Sequence, residues 1–286
     1  MALVDLHMHS RYSDGTFDVS ALVNLVFRKG IKYFSLTDHD NVRGVREAKT
    51  LAKEYAIIFI PGVEITTMYN GDEVHILGYF IDIKDKGFVS FLNTIFTSRV
   101  ERVKHTITNL NHMGYSITFE DVKKAGGCDY VGRPHIARAL MKKGYISKVK
   151  DAFTPELIGN GGKAYVSPDG ISPEDAIKAI KENGGISIVA HPGTYNNKIE
   201  QGLQFKDIEM FKSYGIDGVE VFHSRHDESA REYYLSICRQ LNLIFTCGSD
   251  FHGENAKAVI GETGIPSNLE KEVVDSITKR MKSKIL

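Results

Sequence analysis

The chain opens with two histidines, His7 and His9, in DLHMHSRYSDG (residues 5–15), and Asp14 follows in a Ser-Asp-Gly turn. Side chains two apart on a β-strand leave the same face, so both imidazoles address one point, and Asp14 can fold back over them. Imidazole and carboxylate together suit zinc, iron or manganese. A His-Xaa-His pair arises easily by accident, so the rest of the chain must supply further donors. His39 comes in TDHD, Glu64 in PGVE and His75 in DEVHILGYF. His191 comes in AHP, and Asp250 and His252 in GSDFH. These nine side chains hold six of the eleven histidines, mostly where apolar runs end, whereas chance would scatter them.

A catalytic zinc takes about three protein ligands and keeps one position open. Nine donors therefore imply two or three divalent ions, manganese, zinc or iron, bridged by the carboxylates of Glu64 and Asp250. Such a cluster lowers the pKa of a bridging water to around 7 and clamps the attacking and leaving oxygens of an in-line displacement at phosphorus. Hydrolysis of a phosphoester is the chemistry expected.

Positioning these residues falls to alternating elements. Residues 18–30 carry apolar positions at helical spacing and end in Gly, and KYFSLTDHD reads as a short buried strand. NVRGVREAKTLAKEY reads as a helix, AIIFIPGVEITT as a third strand ending at Glu64, and DEVHILGYF as a fourth with His75 early in it. The rhythm breaks near residue 85, where a long helix over 87–114 and shorter ones lead to GNGG at 159–162. It resumes with a helix from 173, the strand GGISIVAHP, a helix over 203–214, the strand DGVEVFH, a helix over 229–241 and the strand LIFTCGSDFH. Strands alternating with helices predict βαβ units and a parallel sheet. Roughly seven strands with polar residues after their ends predict an α/β fold, a distorted (β/α)7 barrel with the site at the carboxyl ends. An open doubly wound sheet would instead gather them at one crevice.

Composition agrees with a globular chain: of 286 residues, 42% are hydrophobic and 25% charged, and the formal net charge is +0, which argues against a nucleic-acid coat protein. Cys128, Cys238 and Cys247 form no Cys-Xaa-Xaa-Cys pair and are odd in number, so reduced thiols in a cytoplasmic protein are expected. No leader peptide and no membrane-spanning run of about 18 apolar residues is legible.

In this order, HMH, SDG, TDHD, PGVE, the His75 strand, AHP and SDFH resemble the PHP (polymerase and histidinol phosphatase) family. The match covers residues 1–84 and about 164–265. The resemblance implies a distorted seven-stranded barrel with a trinuclear metal site. It also implies a ligand sharing in which His7, His9, Glu64 and Asp250 hold one ion. Glu64, His75 and His191 would hold a second, and Asp14, His39 and His252 a third. Amidohydrolases also begin with a His-Xaa-His strand but bridge their metals with a modified lysine, and no lysine stands at a comparable strand end here.

Residues 85–163 interrupt the barrel portions, 1–84 and 164–286, and carry 13 Lys+Arg against 7 Asp+Glu, a formal +6. A basic helical cap suits an anionic substrate. Its VGRPHIARAL (131–140) holds Arg133 and His135 around a proline that begins a helix, and an arginine fork can grip a phosphate. RVERVKHTITNLNHMGYSI followed by GRPHIARAL resembles one branch of the family, the 3′,5′-nucleotide bisphosphate phosphatases and 5′-to-3′ exoribonucleases. That branch implies anchoring of a 5′-phosphate and attack on the phosphorus at the 3′ oxygen, with a nucleotide or short RNA as partner. Arg133 and His135 would anchor it, with Arg99, Arg225 and His226 as further candidates. Asp38 and Asp40 are expected to orient the metal-binding histidines. A metal-bridging hydroxide would attack, and metal-bound water or His252 would protonate the leaving oxygen. Histidinol phosphatase is the rival enzyme, and a non-catalytic PHP module the rival of another class.

Overall fold

The computed structural model describes residues 3–127, 130–167, 170–195, 202–253 and 258–285; Cys128 lies outside the described residues. Seven strands form one sheet in sequence order: β1 (Val4–Asp5), β2 (Tyr33–Leu36), β3 (Ile58–Tyr69), β4 (Asp72–Tyr79), β5 (Ile186–Val189), β6 (Gly218–His223) and β7 (Ile244–Gly248). The first and last meet through Leu6 N–H to the Cys247 carbonyl at 3.1 Å and a parallel bridge between Met8 and Phe251, which brings the sheet round into a nearly closed barrel.

The expected parallel order fails at one strand. β4 runs antiparallel to both β3 and β5, whereas the other neighbouring pairs are parallel. The cause is local. Asn70 and Gly71 (φ 52° and 85°) form a two-residue turn, and Asn-Gly is the pair that tolerates positive φ at both central positions of such a hairpin. β3 also outruns the strand expected to end at Glu64. It leaves β2 after Pro61 and continues to Tyr69 paired with β4, with one further parallel bridge from Glu64 to His39.

Helices cover the outside. α1 (Val19–Arg28) begins where Asp18 accepts the Ala21 N–H at 2.8 Å, and with α2 (Val45–Glu54) it packs Val19, Leu22, Val23 and Ala48 against Phe34 and Leu36 of β2. The long α3 (Lys86–His112), α4 (Phe119–Gly126) and α5 (Arg133–Lys142) gather a core of their own around Val103, Leu110, Val122, Ile136 and Leu140. α6 (Pro173–Glu182), α7 (Phe205–Tyr214) and α8 (Glu228–Leu241) return to the barrel. In α6 the sequence sets the start: Ser172 and Asp175 cap each other's backbone N–H and Pro173 occupies the first turn. A closing helix, α9 (Ser267–Ile285), seats Val273 and Ile277 in the barrel core, and the sequence reading did not anticipate it. Cys238 and Cys247 are buried and free. Among the described residues no helix is long and apolar enough to cross a membrane.

Candidate metal centre

Glu64 lies just beyond the point where β3 leaves β2, fully buried, and five imidazoles face its carboxylate. On the Oε2 side stand His7 Nε2 at 3.3 Å, His9 Nε2 at 3.3 Å and His39 Nδ1 at 3.0 Å. On the Oε1 side stand His75 Nδ1 at 2.8 Å and His191 Nε2 at 2.9 Å. The reversal of β4 explains how His75 arrives. It is early in its strand, but an antiparallel strand starts at the end where its parallel neighbours stop, and His75 pairs with Thr66, two residues past Glu64.

A second carboxylate, Asp250 Oδ1, lies 3.4 Å from His7 Nε2 and 3.2 Å from His9 Nε2. A third, Asp14 Oδ1, lies 3.2 Å from His252 Nε2 and 3.9 Å from His39 Nε2. Three sets thus converge, each with donor atoms within 4.8 Å of one another: His7, His9, Glu64 and Asp250; His39, Glu64 and His75; and His9, Asp14, His39 and His252. The nine residues singled out in the sequence come together at one end of the barrel. His9, His39 and Glu64 each belong to two of the three sets, and His191, which faces Glu64 Oε1, stands outside them.

Charge is strongly coupled here. Burial would raise Glu64, Asp14 and Asp250, yet the surrounding histidines hold all three well below the usual carboxylate range. Burial pushes His39 down to about 4 and His191 down to about 3, so both rings are neutral near pH 7, each with one nitrogen able to act as a ligand. For His75 and His252 burial is outweighed, by Glu64 and Glu73 in the first case and Asp14 and Asp250 in the second, and each is carried up to about 10. Three carboxylates at this density need positive charge beside them, which protons on the histidines or a divalent cation can supply.

The orphaned atoms test that fit. His7 Nε2, His9 Nε2, His39 Nδ1, Asp14 Oδ1 and Glu64 Oε2 are buried and make no hydrogen bond among the described residues. Buried polar atoms are almost always satisfied, and all five point into the cluster. Several of the clustered histidines are oriented from behind through their other nitrogen. His7 Nδ1 bonds Glu220 Oε1 at 2.9 Å, His191 Nδ1 meets Thr194 Oγ1 at 3.1 Å, and His252 Nδ1 donates to the Asp250 carbonyl at 2.8 Å. His9 Nδ1 faces Ser13 Oγ at 3.4 Å. Such backing fixes a ligand's ring and tautomer. The donor set fits divalent ions.

Asp38 and Asp40 do not touch the clustered histidines as expected. Asp38 accepts Ser10 N–H, Ser10 Oγ and Ser13 Oγ, and so acts on His9 one step removed. Asp40 accepts Thr66 N–H at 2.7 Å and pairs with Arg99. The orienting carboxylate missed in the sequence is Glu220, which also accepts the His191 N–H at 2.8 Å. Its signal was there: an acidic residue at the centre of the apolar strand GVEVFH must be buried with a partner.

Above the cluster opens a cleft of about 600 Å³, walled by Pro134 and Arg138 of α5 and by Ser224 and Arg225 after β6. Arg225 reaches Asp250 Oδ2 at 3.4 Å, and Arg138 reaches the Asp14 carbonyl at 3.4 Å. The other expected substrate contacts are not among its lining. Arg99 is buried against Asp40 and Thr66, with its guanidinium 5.0 Å over the Tyr130 ring. Arg133 bonds Asn160 and lies over Tyr165. His135 is buried and accepts the Gly132 N–H at 3.1 Å, and His226 is buried with both ring nitrogens engaged. A separate hollow of about 530 Å³ beside Arg99 and Arg102 holds none of the clustered donors.

Comparison with known proteins bears on this arrangement. A family model described as PHP domain matches residues 5–188. The chain belongs to the PHP domain family. This PHP chain is 32% identical over 248 residues to the 5′-3′ exoribonuclease of Haemophilus influenzae, covering 87% of the chain and 89% of that protein. It is 31% identical over 264 residues to the 3′,5′-nucleoside bisphosphate phosphatase of Chromobacterium violaceum, covering 91% of each. A crystal structure from Bifidobacterium adolescentis, of a protein assigned as a metal-dependent phosphoesterase, matches with a TM-score of 0.85 at 29% identity over 96% of both chains. The PHP chain is a metal-dependent phosphoesterase, a hydrolase.

Proposed function

We propose that this phosphoesterase removes the phosphoryl group from the 3′ oxygen of a 5′-phosphorylated nucleoside, either a nucleoside 3′,5′-bisphosphate or the first residue of a short RNA. The observation that carries the reading is the cleft itself, where two arginines from different parts of the chain overhang one end of a carboxylate-histidine cluster. A substrate with two phosphates needs charge neutralised at two places. The activities named for the two relatives share this step.

His7, His9, Asp14, His39, Glu64, His75, His191, Asp250 and His252 would hold two or three divalent ions, and their mixed nitrogen and oxygen donors suit manganese, zinc or iron. When bound, such ions supply Lewis-acid stabilisation of phosphoryl charge and activate water. Arg225, exposed above Asp250, binds non-bridging oxygens of the phosphate under attack. Arg138, beside Pro134 in the cleft wall, takes the 5′-phosphate, which holds the nucleotide so that its 3′ oxygen points at the cluster. His135 acts from below, fixing the start of α5 through Gly132. His252 has one nitrogen free of the backbone, Nε2, directed at Asp14. A nitrogen that holds a cation cannot also deliver a proton, so the departing 3′ oxygen takes its proton from solvent. Residues 85–163 serve as the cap that carries α5 over the ions.

Manganese-loaded protein incubated with adenosine 3′,5′-bisphosphate is expected to release phosphate and leave 5′-AMP, with no release under chelation. Turnover of histidinol phosphate in its place would overturn this substrate class.

A further inference from the structure

The loop after β6 walls two cavities at once. Ser224 and Arg225 line the metal cleft, while Arg225, His226 and Asp227 line a polar cavity of about 320 Å³ beside it. Tyr233 of α8 and Gln204, just before α7, complete the second cavity. Its frame is fixed. His226 Nδ1 donates to the Val221 carbonyl at 2.9 Å, and Nε2 accepts the Gly193 N–H at 3.0 Å. A Cβ on Gly193 would fall 2.9 Å from that ring, so the two segments are in close contact. The Tyr233 hydroxyl accepts the Phe205 N–H at 3.1 Å and lies 3.3 Å from Gln204 Oε1, while the residue stays 38% exposed. Arg225 belongs to both cavities, and its side chain is 57% exposed.

Hydrolysis of a nucleoside bisphosphate makes no use of this second cavity. We infer that it receives the second nucleotide of a 5′-phosphorylated oligonucleotide, the one joined to the scissile phosphate through its 5′ oxygen. The inference rests on the function proposed above, in which the first nucleotide lies toward α5. The oxygen of water joins phosphorus, the P–O3′ bond breaks, and the 3′ oxygen takes up a proton. The phosphoryl group therefore stays with the second nucleotide, which extends from the ions on the side away from α5. Arg225 walls the cleft from the loop after β6 rather than from α5. An exposed arginine spans the step from phosphate to cavity, Tyr233 offers a ring for a base to stack on, and Gln204, Ser229 and Asp227 present polar groups to ribose and base edges. The site thus distinguishes an oligonucleotide from a mononucleotide without altering the chemistry.

The test compares adenosine 3′,5′-bisphosphate with a 5′-phosphorylated RNA tetramer beginning in adenosine, using manganese-loaded wild type, Tyr233→Ala and Ser229→Trp. The tryptophan fills the cavity from an exposed position, so folding is not at risk even where the tyrosine truncation loosens Phe205. Each variant is expected to lose about tenfold in kcat/KM on the tetramer, through KM, and to keep its rate on the bisphosphate, the size expected for one stacked base. Equal loss on both substrates, or full retention of tetramer cleavage by Ser229→Trp, overturns the inference. Wild type that hydrolyses the bisphosphate but not the tetramer overturns it too and leaves the proposed function standing. Wild type that hydrolyses neither removes both.

Discussion

Glu220 Oε1 lies 2.9 Å from Nδ1 of His7, deep in the barrel, and turns the opposite nitrogen of that ring toward Glu64 and Asp250. A carboxylate behind a ligand histidine sets its tautomer and raises its basicity. Glu220→Gln keeps the shape and loses the charge. It is expected to lower metal affinity and kcat/KM by about 10- to 100-fold, measured by metal titration of the chelated protein and by phosphate release. Unchanged metal affinity would show that His7 needs no such backing.

Glu64 carries a heavier share, because five imidazoles face one carboxylate. Glu64→Gln removes the anion that all of them surround. The protein is expected to bind at least one ion fewer by elemental analysis, with phosphate release at the level of the chelated control. Full metal content in this variant would contradict a bridging role.

The pair of Arg99 and Asp40 ties α3 to the barrel, and both residues are buried. Removing one member of a buried ion pair leaves the other uncompensated. Arg99→Met is expected to cost about 3–5 kcal/mol in unfolding free energy. The double variant Arg99→Met with Asp40→Asn, which tolerates the left-handed backbone and keeps an acceptor for the Thr66 N–H, should recover part of that loss, and denaturant unfolding of all four forms measures the coupling. Additive losses would mean that the two charges are stabilised independently.

His135 gives a pH dependence of stability. Unfolded, it takes up a proton near pH 6.5; folded, burial first and then Arg138 and Arg99 hold it down to about 4, against the pull of Asp14. Between those values the unfolded chain binds a proton that the native state does not. Its contribution is therefore full above pH 6.5 and is lost as pH falls toward 4, by up to about 3 kcal/mol. His135→Asn retains an acceptor for the Gly132 N–H and has nothing to titrate. The gap in unfolding free energy between wild type and variant should shift by about that amount between pH 7 and pH 4 in chelated protein. A constant gap would mean that His135 ionises alike in both states.

How much of this was legible beforehand depended on the kind of signal. The donors His7, His9, His39 and His191 announced themselves through residue type at the ends of apolar runs, and the helix over 173–182 through Ser172, Pro173 and Asp175. The reversed β4 has its local signal in Asn70-Gly71, which the alternation of strands and helices around it, arguing for parallel order, outweighs. Contacts between distant segments left no local trace. Nothing in SRVERVKH says that Arg99 will be buried against Asp40 rather than turned to a substrate, since that depends on where α3 crosses β3. Arg138 likewise sits five residues after Arg133 in one motif, and only the docked position of α5 decides which of them lines the cleft.

The joining of β1 to β7 bears on assembly. His7 and Asp250, which face each other at 3.4 Å, come from opposite ends of the polypeptide, and the backbone bond from Leu6 to Cys247 lies beside them. A chain emerging from the ribosome would expose its first histidines long before the last carboxylate exists, so the nascent polypeptide can offer a stray ion only a partial grip. The set of His39, Glu64 and His75 is complete by β4, whereas the set of His7, His9, Glu64 and Asp250 waits for β7, and an ion held there would tie the first strand to the last.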